Sequence, residues 1–334
     1  MSIYVSHISA LQCLASAEDV SPVMALRNAL PRRRGPLPHG CRATAADLEP
    51  LSALGLPYLA APVHALVPNA ASRSACARLT CHVRSGNFPR RSFRPVAAHV
   101  FASMPELCFV QMAETFTPAR LIRLGMELCG TYGIFTVGHL DFDREHPYTT
   151  VARLSRFASE AGSMPGAKKA RQAVCHLVPG SASPLETALA LLLCLPLSMG
   201  GYGLPQPEMN RSMHAKWRDL RRSTDKRYAC DLLWPDAAIA VEYESFEHHS
   251  KKGKLADDAR RRNDLLAHGI TIVPVTTRTV QNLIELDQVA QLLARRLGKR
   301  VRPNAQRWPK DQHKLHGMLL ETMPLSPQHG HRAL

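Results

Sequence analysis

The stretch YACDLLWPDAAIAVEYESFEHHSKKGK, from Tyr228 to Lys254, sets five carboxylates, two adjacent histidines and three lysines among short apolar runs. The apolar residues predict two strands, 227–233 and 238–244, joined by a turn at Pro235–Ala237. Side chains alternate faces along a strand, so Asp231 shares a face with Leu233, and Glu242 shares one with Ala240 and Glu244. Either simple register through the turn, Asp231 against Ala240 or against Glu242, leaves Asp231, Glu242 and Glu244 on one face. Carboxylates so placed repel one another unless a proton or a cation intervenes. A hard divalent ion, Mg²⁺ or Mn²⁺, takes oxygen ligands and leaves positions for water and a phosphate. Asp231, Glu242 and Glu244 are therefore expected to hold such an ion against a nucleic-acid phosphate. The competing reading is a solvated face. The near-continuous apolar composition of "DLLW" and "AIAVEY" speaks against it, because strands of that kind are covered on both faces and an acid within them needs a partner.

Other residues could serve the same site. In "SPLE", Ser183 reads as a helix N-cap, Pro184 as the first helical residue and Glu186 as the third, the pattern of a capping box. A side chain turned back to its cap is not aimed at a metal, so the structural and functional roles of Glu186 compete. His248 and His249 are adjacent and in an extended segment face opposite ways. One of them, His249 on the spacing of the family named below, could position or deprotonate an attacking water. "RSMHAKWRDLRRSTDKR" (211–227) carries seven basic residues against two acids. Its plain reading is a solvated helix. Its functional reading is a surface that grips a nucleic-acid backbone through Arg218, Arg221, Arg222 and Arg227, with Trp217 as a stacking platform. Arg260, Arg261 and Arg262 suit phosphate contact as well. Asp258 with Arg261 or Arg262 could equally be a surface ion pair worth a few tenths of a kcal/mol.

"CDLLWPDAAIAVEYES", the following "HH", and "DDARRRNDLLAHGITIVPVT" together resemble the PD-(D/E)XK nuclease superfamily, and within it the branch related to very short patch repair endonucleases. The resemblance covers roughly residues 183–302. It implies a restriction-endonuclease-like core with a central mixed sheet flanked by helices. It also implies a metal site with acids at Asp231 and Glu242, completed by Glu244 and by His248 or His249. Glu186 corresponds to the glutamate of the opening helix, and Asp258 and Arg261 to a D-x-x-R element in the later one. The lysine usual two residues after the second-strand acid is replaced here by Glu244. A module of this kind that has lost turnover would remain a DNA-binding or partner-binding regulator.

The whole chain fits such a reading. Its 334 residues allow two domains, and 45 % apolar with 21 % charged residues is an ordinary globular balance. A formal net charge of +15 attracts polyanions, so nucleic acid, with DNA as the expected form, is the expected partner. The nine cysteines are odd in number and irregularly spaced, which suits free thiols in a reducing compartment. "CARLTCH", with Cys76, Cys81 and His82, looks like half a zinc site without its other half and is read as incidental. No secretory signal opens the chain, and "LETALALLLCLPLSM" is too short to span a bilayer, so a cytoplasmic protein without a membrane partner is expected.

Residues 1–150 mix short extended pieces, broken by prolines, with helices such as the one from Thr117, and predict a smaller α+β domain. "SHISALQCL", "APVHALV" and "SMPELCFVQMA" resemble abortive-infection antitoxin-type domains. That resemblance implies DNA contact or partner binding and a place in defence, repair or a toxin–antitoxin system. The Gly/Ser/Pro-bearing stretch 151–182 is expected to be a linker with a basic helix, 183–302 the endonuclease-like domain, and 303–334 a basic, partly disordered tail. For "GGYG" (200–203), the resemblance to the endonuclease branch implies a conformational loop. The fold class expected overall is α+β.

Overall fold

A computed structural model describes residues 2–19, 35–38, 41–56, 59–133, 144–218, 223–244, 252–301 and 306–321. The chain is α+β, and it divides into two compact units, residues 1–179 and 180–334.

The first unit is built on a five-stranded sheet of order β3-β2-β1-β5-β4. Its strands are β1 (Ile3–Val5), β2 (Val63–Val67), β3 (Leu79–Val83), β4 (Phe93–Ala97) and β5 (Val100–Ser103). β1 runs antiparallel to β2 and parallel to β5, while β2 and β3 are parallel. Helices α1 (His7–Asp19) and α3 (Pro105–Met112) pack on the sheet, and the short α2 (Glu49–Ala53) lies between β1 and β2 in sequence. Every residue of α3 is buried, so it is the spine of this unit. Against it lie α4 (Pro118–Cys129), α5 (Val151–Glu160) and α6 (Ala167–Val174). As expected, Thr117 caps α4, accepting from the Arg120 N–H, with Pro118 in the first turn.

Residues 151–179 therefore are not a linker. Leu154, Phe157 and Ala158 of α5 and Ala167, Ala170, Ala173 and Val174 of α6 are buried stripes that complete the first unit's core. Burial of a side chain such as Phe157 is worth about 1.5–3 kcal/mol, enough to draw a Gly-flanked helix onto the core. The glycines that suggested a linker are turn residues with positive φ, Gly162 at 57° and Gly166 at 85°. A Cβ on Gly166 would lie 2.1 Å from the Val110 carbonyl oxygen of α3. Gly166→Ala is thus expected to cost about 2–3 kcal/mol, from strain and steric overlap together. Hydrogen exchange should show this as faster exchange of the α3 and α6 amides.

The second unit holds a mixed four-stranded sheet of order β6-β7-β8-β9. The strands are β6 (Glu208–Arg218), β7 (Ser223–Trp234), β8 (Ile239–Glu244) and β9 (Thr271–Thr276). β6, β7 and β8 are antiparallel in turn, and β8 and β9 are parallel. Around the sheet come α7 (Pro184–Cys194), α8 (Lys252–Ala267), α9 (Thr277–Gln281), α10 (Leu283–Arg296) and α11 (Trp308–Leu320). α7 is apolar all round and buried from Glu186 to Leu193.

One expectation fails in this unit. The basic segment 211–227 is not a helix: it forms most of a long β-hairpin, in which Arg218 pairs with Ser223 and His214 with Arg227. Its apolar residues Met209, Met213, Ala215 and Trp217 recur with the period of two that a strand requires. Within the expected tail, α11 (Trp308–Leu320) buries Gln312, Leu315 and Leu319 along one side. That helix seats on the glycine loop. The Trp308 indole donates to the Gly201 carbonyl at 3.0 Å, Gln312 donates to the Tyr202 hydroxyl at 2.8 Å, and the Tyr202 hydroxyl bonds Asp287. A Cβ at Gly200, whose φ is 91°, would meet the Asp311 carbonyl at 2.3 Å. Gly200 and Gly201 thus serve a close packing approach. Among the described residues, no helix is long and apolar enough to cross a membrane.

Candidate active site

The two acid-bearing strands pair where the hairpin turn directs them. Pro235–Ala237 form a single helical turn, and Ala238 follows in the left-handed region. Leu232, Leu233 and Trp234 then pair with Val241, Ala240 and Ile239. One more step of this register sets Asp231 across from Glu242, one of the two pairings the sequence allows. Opposite residues of antiparallel strands share a face, so both acids emerge on the same side of the sheet. The register between β6 and β7 continues the row: Met209 pairs with Leu232 and Arg211 with Cys230, which puts Asn210 across from Asp231. Asn210, Asp231 and Glu242 thus form a polar row across three strands. The residues beside it, Cys230, Leu232, Ala240 and Val241, are all fully buried.

Each acid is held by a different element. Asp231 Oδ2 accepts the Tyr243 backbone N–H at 2.7 Å, locking β7 to β8 through a side chain at the point where the backbone ladder ends. Glu242 is 9 % exposed, and its Oε1 accepts from Arg261 Nη2 at 2.7 Å. The same guanidinium nitrogen bonds the Ala229 carbonyl. Arg261 therefore ties α8 to both acid-bearing strands, and the arginine expected on nucleic acid is engaged with the expected metal ligand. Glu244 stands further along, half-buried, with Arg262 at 3.6 Å.

Glu186 fulfils the cap and keeps an oxygen for other use. Ser183 Oγ accepts the Glu186 N–H at 3.2 Å, as a cap should. The Glu186 carboxylate reaches back to the Ala182 N–H at 2.9 Å and accepts from the Asn210 amide at 2.6 Å, both through Oε2. Among the described residues no hydrogen bond goes to its Oε1, nor to Oδ1 of Asp231. The two roles of Glu186 are thus compatible. Asn210 itself has a φ of 49°, and its amide also donates to the Gly180 carbonyl at 2.9 Å. No motif marks it in the sequence; only the strand period of β6 would have placed it in the row.

The charges are uncomfortable as they stand. Burial raises the Asp231 carboxyl above its ordinary range, against the Tyr243 N–H and the Arg261 charge. Burial likewise raises Glu242, which Arg261 pulls down while the Asp231 and Glu244 charges push it up. Glu186 is raised by burial first, and its bonds from Ala182, Asn210 and Ser183 outweigh in number the push from the Asp231 charge. The Cys230 thiol beside them is pushed up to about 12, by burial and then by Glu242. Two buried glutamates that each sense the charge of a half-buried aspartate are a place where a cation is electrostatically favoured. The set is a row rather than a closed cage. Among the described residues, the only three His, Cys, Asp or Glu side chains with ligand atoms all within 4.8 Å of one another are His7, His64 and His82, in the first unit.

The remaining expected site residues are not brought to this row by anything described. His248, His249, Arg221 and Arg222 lie outside the described residues. Arg218 and Arg227 stand on the β6–β7 hairpin, described by backbone position alone.

Comparison with known proteins adds little to this geometry. No family model matches the chain, and no solved structure does. Over 103 residues it is 33 % identical to an uncharacterized protein of Mycobacterium tuberculosis, found in two strains of that organism. The match covers 31 % of this chain and 35 % of each relative, so the chain spans about a third of the length of the curated relatives it matches.

Proposed function

We propose that residues 183–302 form a metal-dependent endonuclease module of the PD-(D/E)XK kind, acting on nucleic acid, with DNA as the expected substrate. The observation that carries this reading is the register that, continued one step, sets a half-buried Asp231 opposite a buried Glu242, with burial raising both carboxyls. The donor set suits Mg²⁺ or Mn²⁺: carboxylate oxygens, one of which on Asp231 has no described hydrogen bond, beside a Glu186 oxygen in the same condition. When bound, the ion polarises a phosphate and lowers the pKa of a coordinated water. Asp231 and Glu242 would hold it, fixed by the Tyr243 N–H and by Arg261. Glu244, two residues along the same strand face from Glu242, is placed to accept a proton from the attacking water, a role His249 could share. The basic hairpin 211–227, with the arginines of α8, would hold the backbone through sequence-independent contacts.

The first unit, on its resemblance to abortive-infection antitoxin-type domains, would supply DNA or partner contact, and the pathway would be defence, repair or a toxin–antitoxin pair. A second reading has support of its own: Arg261 already occupies Glu242, and Glu244 stands where a lysine is usual. On that reading the module binds DNA and regulates without turnover. Nicking of supercoiled plasmid separates them. The endonuclease requires Mg²⁺ or Mn²⁺ and is silenced by chelator. Salt-sensitive DNA binding that ignores chelator, with no nicking at any metal concentration, would refute it in favour of the regulator.

A further inference from the structure

The first unit contains a cluster that the nuclease reading does not use. His64 lies on β2 and His82 on β3, where the parallel register pairs Leu66 with His82 and so sets the two histidines on one face, offset by two residues. His7 opens α1, separated only by Ser6 from β1, which pairs with the other edge of β2. Three residues far apart in sequence thereby bring one ring nitrogen each within 4.8 Å of the others. We propose that these histidines form a binding site for a borderline divalent transition metal, Zn²⁺ in the first instance, in the first unit.

The surroundings are those of a built site. The His7 backbone sits at a φ of 52°, a left-handed conformation that costs a non-glycine residue about 1–2 kcal/mol and persists only where its neighbours impose it. They do so here: the His7 N–H donates to Gln111 Oε1 at 3.0 Å, and its Nδ1 meets Ser6 Oγ at 2.9 Å. With Nδ1 so engaged, Nε2 is the nitrogen left for an ion, and the serine fixes the ring as an outer-shell partner does at metal sites. His64 N–H is likewise held, donating to Ser9 Oγ at 3.0 Å.

The three rings have more nitrogen than protons can satisfy. His64 Nδ1 and His82 Nε2 face each other at 2.9 Å and can share one proton, while the His7 ring stacks on His82 with centroids 3.7 Å apart. Two nitrogens on a tetrahedral Zn²⁺, each at about 2.0–2.1 Å from it, stand ~3.3 Å apart, a few tenths of an ångström from the pair as it is. Burial, reinforced by the neighbouring rings and Arg84, holds His7 down to about 2, and burial with His64 and Arg84 holds His82 to about 4. His64 is lowered by burial as well. The neutral imidazole is the form that binds metal. Of the cations whose charge reaches His82, Arg84 is ion-paired with Glu114, and Arg73 acts more weakly. His7 is buried, whereas His64 and His82 are only half-buried, which gives an ion a way in from solvent.

The ligand set is all nitrogen. Cys81 precedes His82 by one residue on β3 and so faces the other side of the sheet. The apparent half-site of Cys76, Cys81 and His82 therefore dissolves: His82 is recruited, and its partners come from β2 and from the start of α1. Imidazole ligands select Zn²⁺, Co²⁺, Ni²⁺ or Cu²⁺ over the Mg²⁺ that the second unit's acids would take.

The test uses full-length protein without a histidine tag. Zn²⁺ affinity is measured by competition with a chromophoric chelator, and Co²⁺ is used as a spectroscopic probe. Wild type is expected to bind one Zn²⁺ at this site and to give Co²⁺ ligand-field bands without a thiolate charge-transfer band. His64→Ala and His82→Ala should each weaken Zn²⁺ by ~100-fold or more, since loss of an outer-shell partner alone costs ~10–100-fold. His82→Gln and the Zn²⁺-induced rise in melting temperature serve as controls for folding: the rise should be present in wild type and lost in the variants. Cys81→Ser and Asp231→Ala should leave Zn²⁺ affinity unchanged, which separates this site from the nuclease reading. Absence of Zn²⁺ binding to wild type would overturn the proposal. So would binding that survives both alanine variants, or binding that disappears with Cys81→Ser.

Discussion

Asp231→Asn is expected to abolish metal-dependent nicking while making the second unit harder to unfold. The two effects have one cause. Asp231 is half-buried, its carboxyl is raised by that burial, and its charge in turn raises Glu242 and Glu186. Removing that charge relieves three groups at once. The amide oxygen can still accept the Tyr243 N–H, so the β7–β8 junction is kept. The gain should be about 1 kcal/mol, the lower end of what an uncompensated buried polar group costs. The same change removes a metal ligand. If the bound ion supplies ~4 kcal/mol of transition-state stabilisation, nicking falls by ~1,000-fold. A purely structural aspartate would behave otherwise: nicking unchanged, or stability lost.

The pH dependence of that gain has a definite sign. A carboxyl whose folded pKa lies above its unfolded value is favourable below the unfolded value and unfavourable as pH rises through the folded one. The ordinary values are 3.8 for Asp231 and 4.5 for the two glutamates, and all three are raised in the fold. The stability difference between Asp231→Asn and wild type should therefore be full at pH 7 and close as pH falls toward 4. The histidine cluster of the first unit runs the opposite way. His7 and His82 titrate at about 2 and 4 when folded, against 6.5 when unfolded, so their contribution is lost as pH falls from about 6.5. It is common to wild type and variant and cancels in the difference, which unfolding at several pH values would measure.

How much of this was legible in the sequence differs sharply between elements. The strands around Asp231 and Glu242 were readable because both are short apolar runs closed off by "PDA", which forces a turn. The "SPLE" cap was readable for a similar local reason. The β6 hairpin was misread because its lysines and arginines dominate the composition, while the alternation that makes it a strand lies in four weakly apolar residues. Asn210 could not be found without that strand. The basic helix α6 was legible, but α5 was taken for part of a linker because Gly162 and Gly166 look like flexible spacers, when they are tight turns beside a buried stripe. The histidine cluster had no local signature at all: its members come from the start of α1, from β2 and from β3, and only the sheet order makes them neighbours.

Arg261→Ala is the variant that separates a metal site from an ion pair that merely fills the same space. Arg261 bonds Glu242 at 2.7 Å, with 34 % of its own side chain exposed and 12 % of Glu242's. Exposed pairs are worth ~0–1 kcal/mol, whereas breaking a fully buried one costs ~3–5 kcal/mol. This pair lies between, so the variant should lose about 2 kcal/mol of stability without metal. It should also bind Mn²⁺ more tightly, because a positive charge beside the ligand has been removed. A tenfold gain corresponds to ~1.4 kcal/mol, a modest share of the repulsion between a guanidinium and a divalent ion at close range. Metal should accordingly restore stability to Arg261→Ala more than to wild type, a crossing that thermal unfolding with and without Mn²⁺ would display. If the variant instead binds Mn²⁺ more weakly, Arg261 is positioning Glu242 for the ion. If Mn²⁺ leaves both proteins unmoved, the row of acids is a structural network, and the regulator reading takes the place of the enzyme.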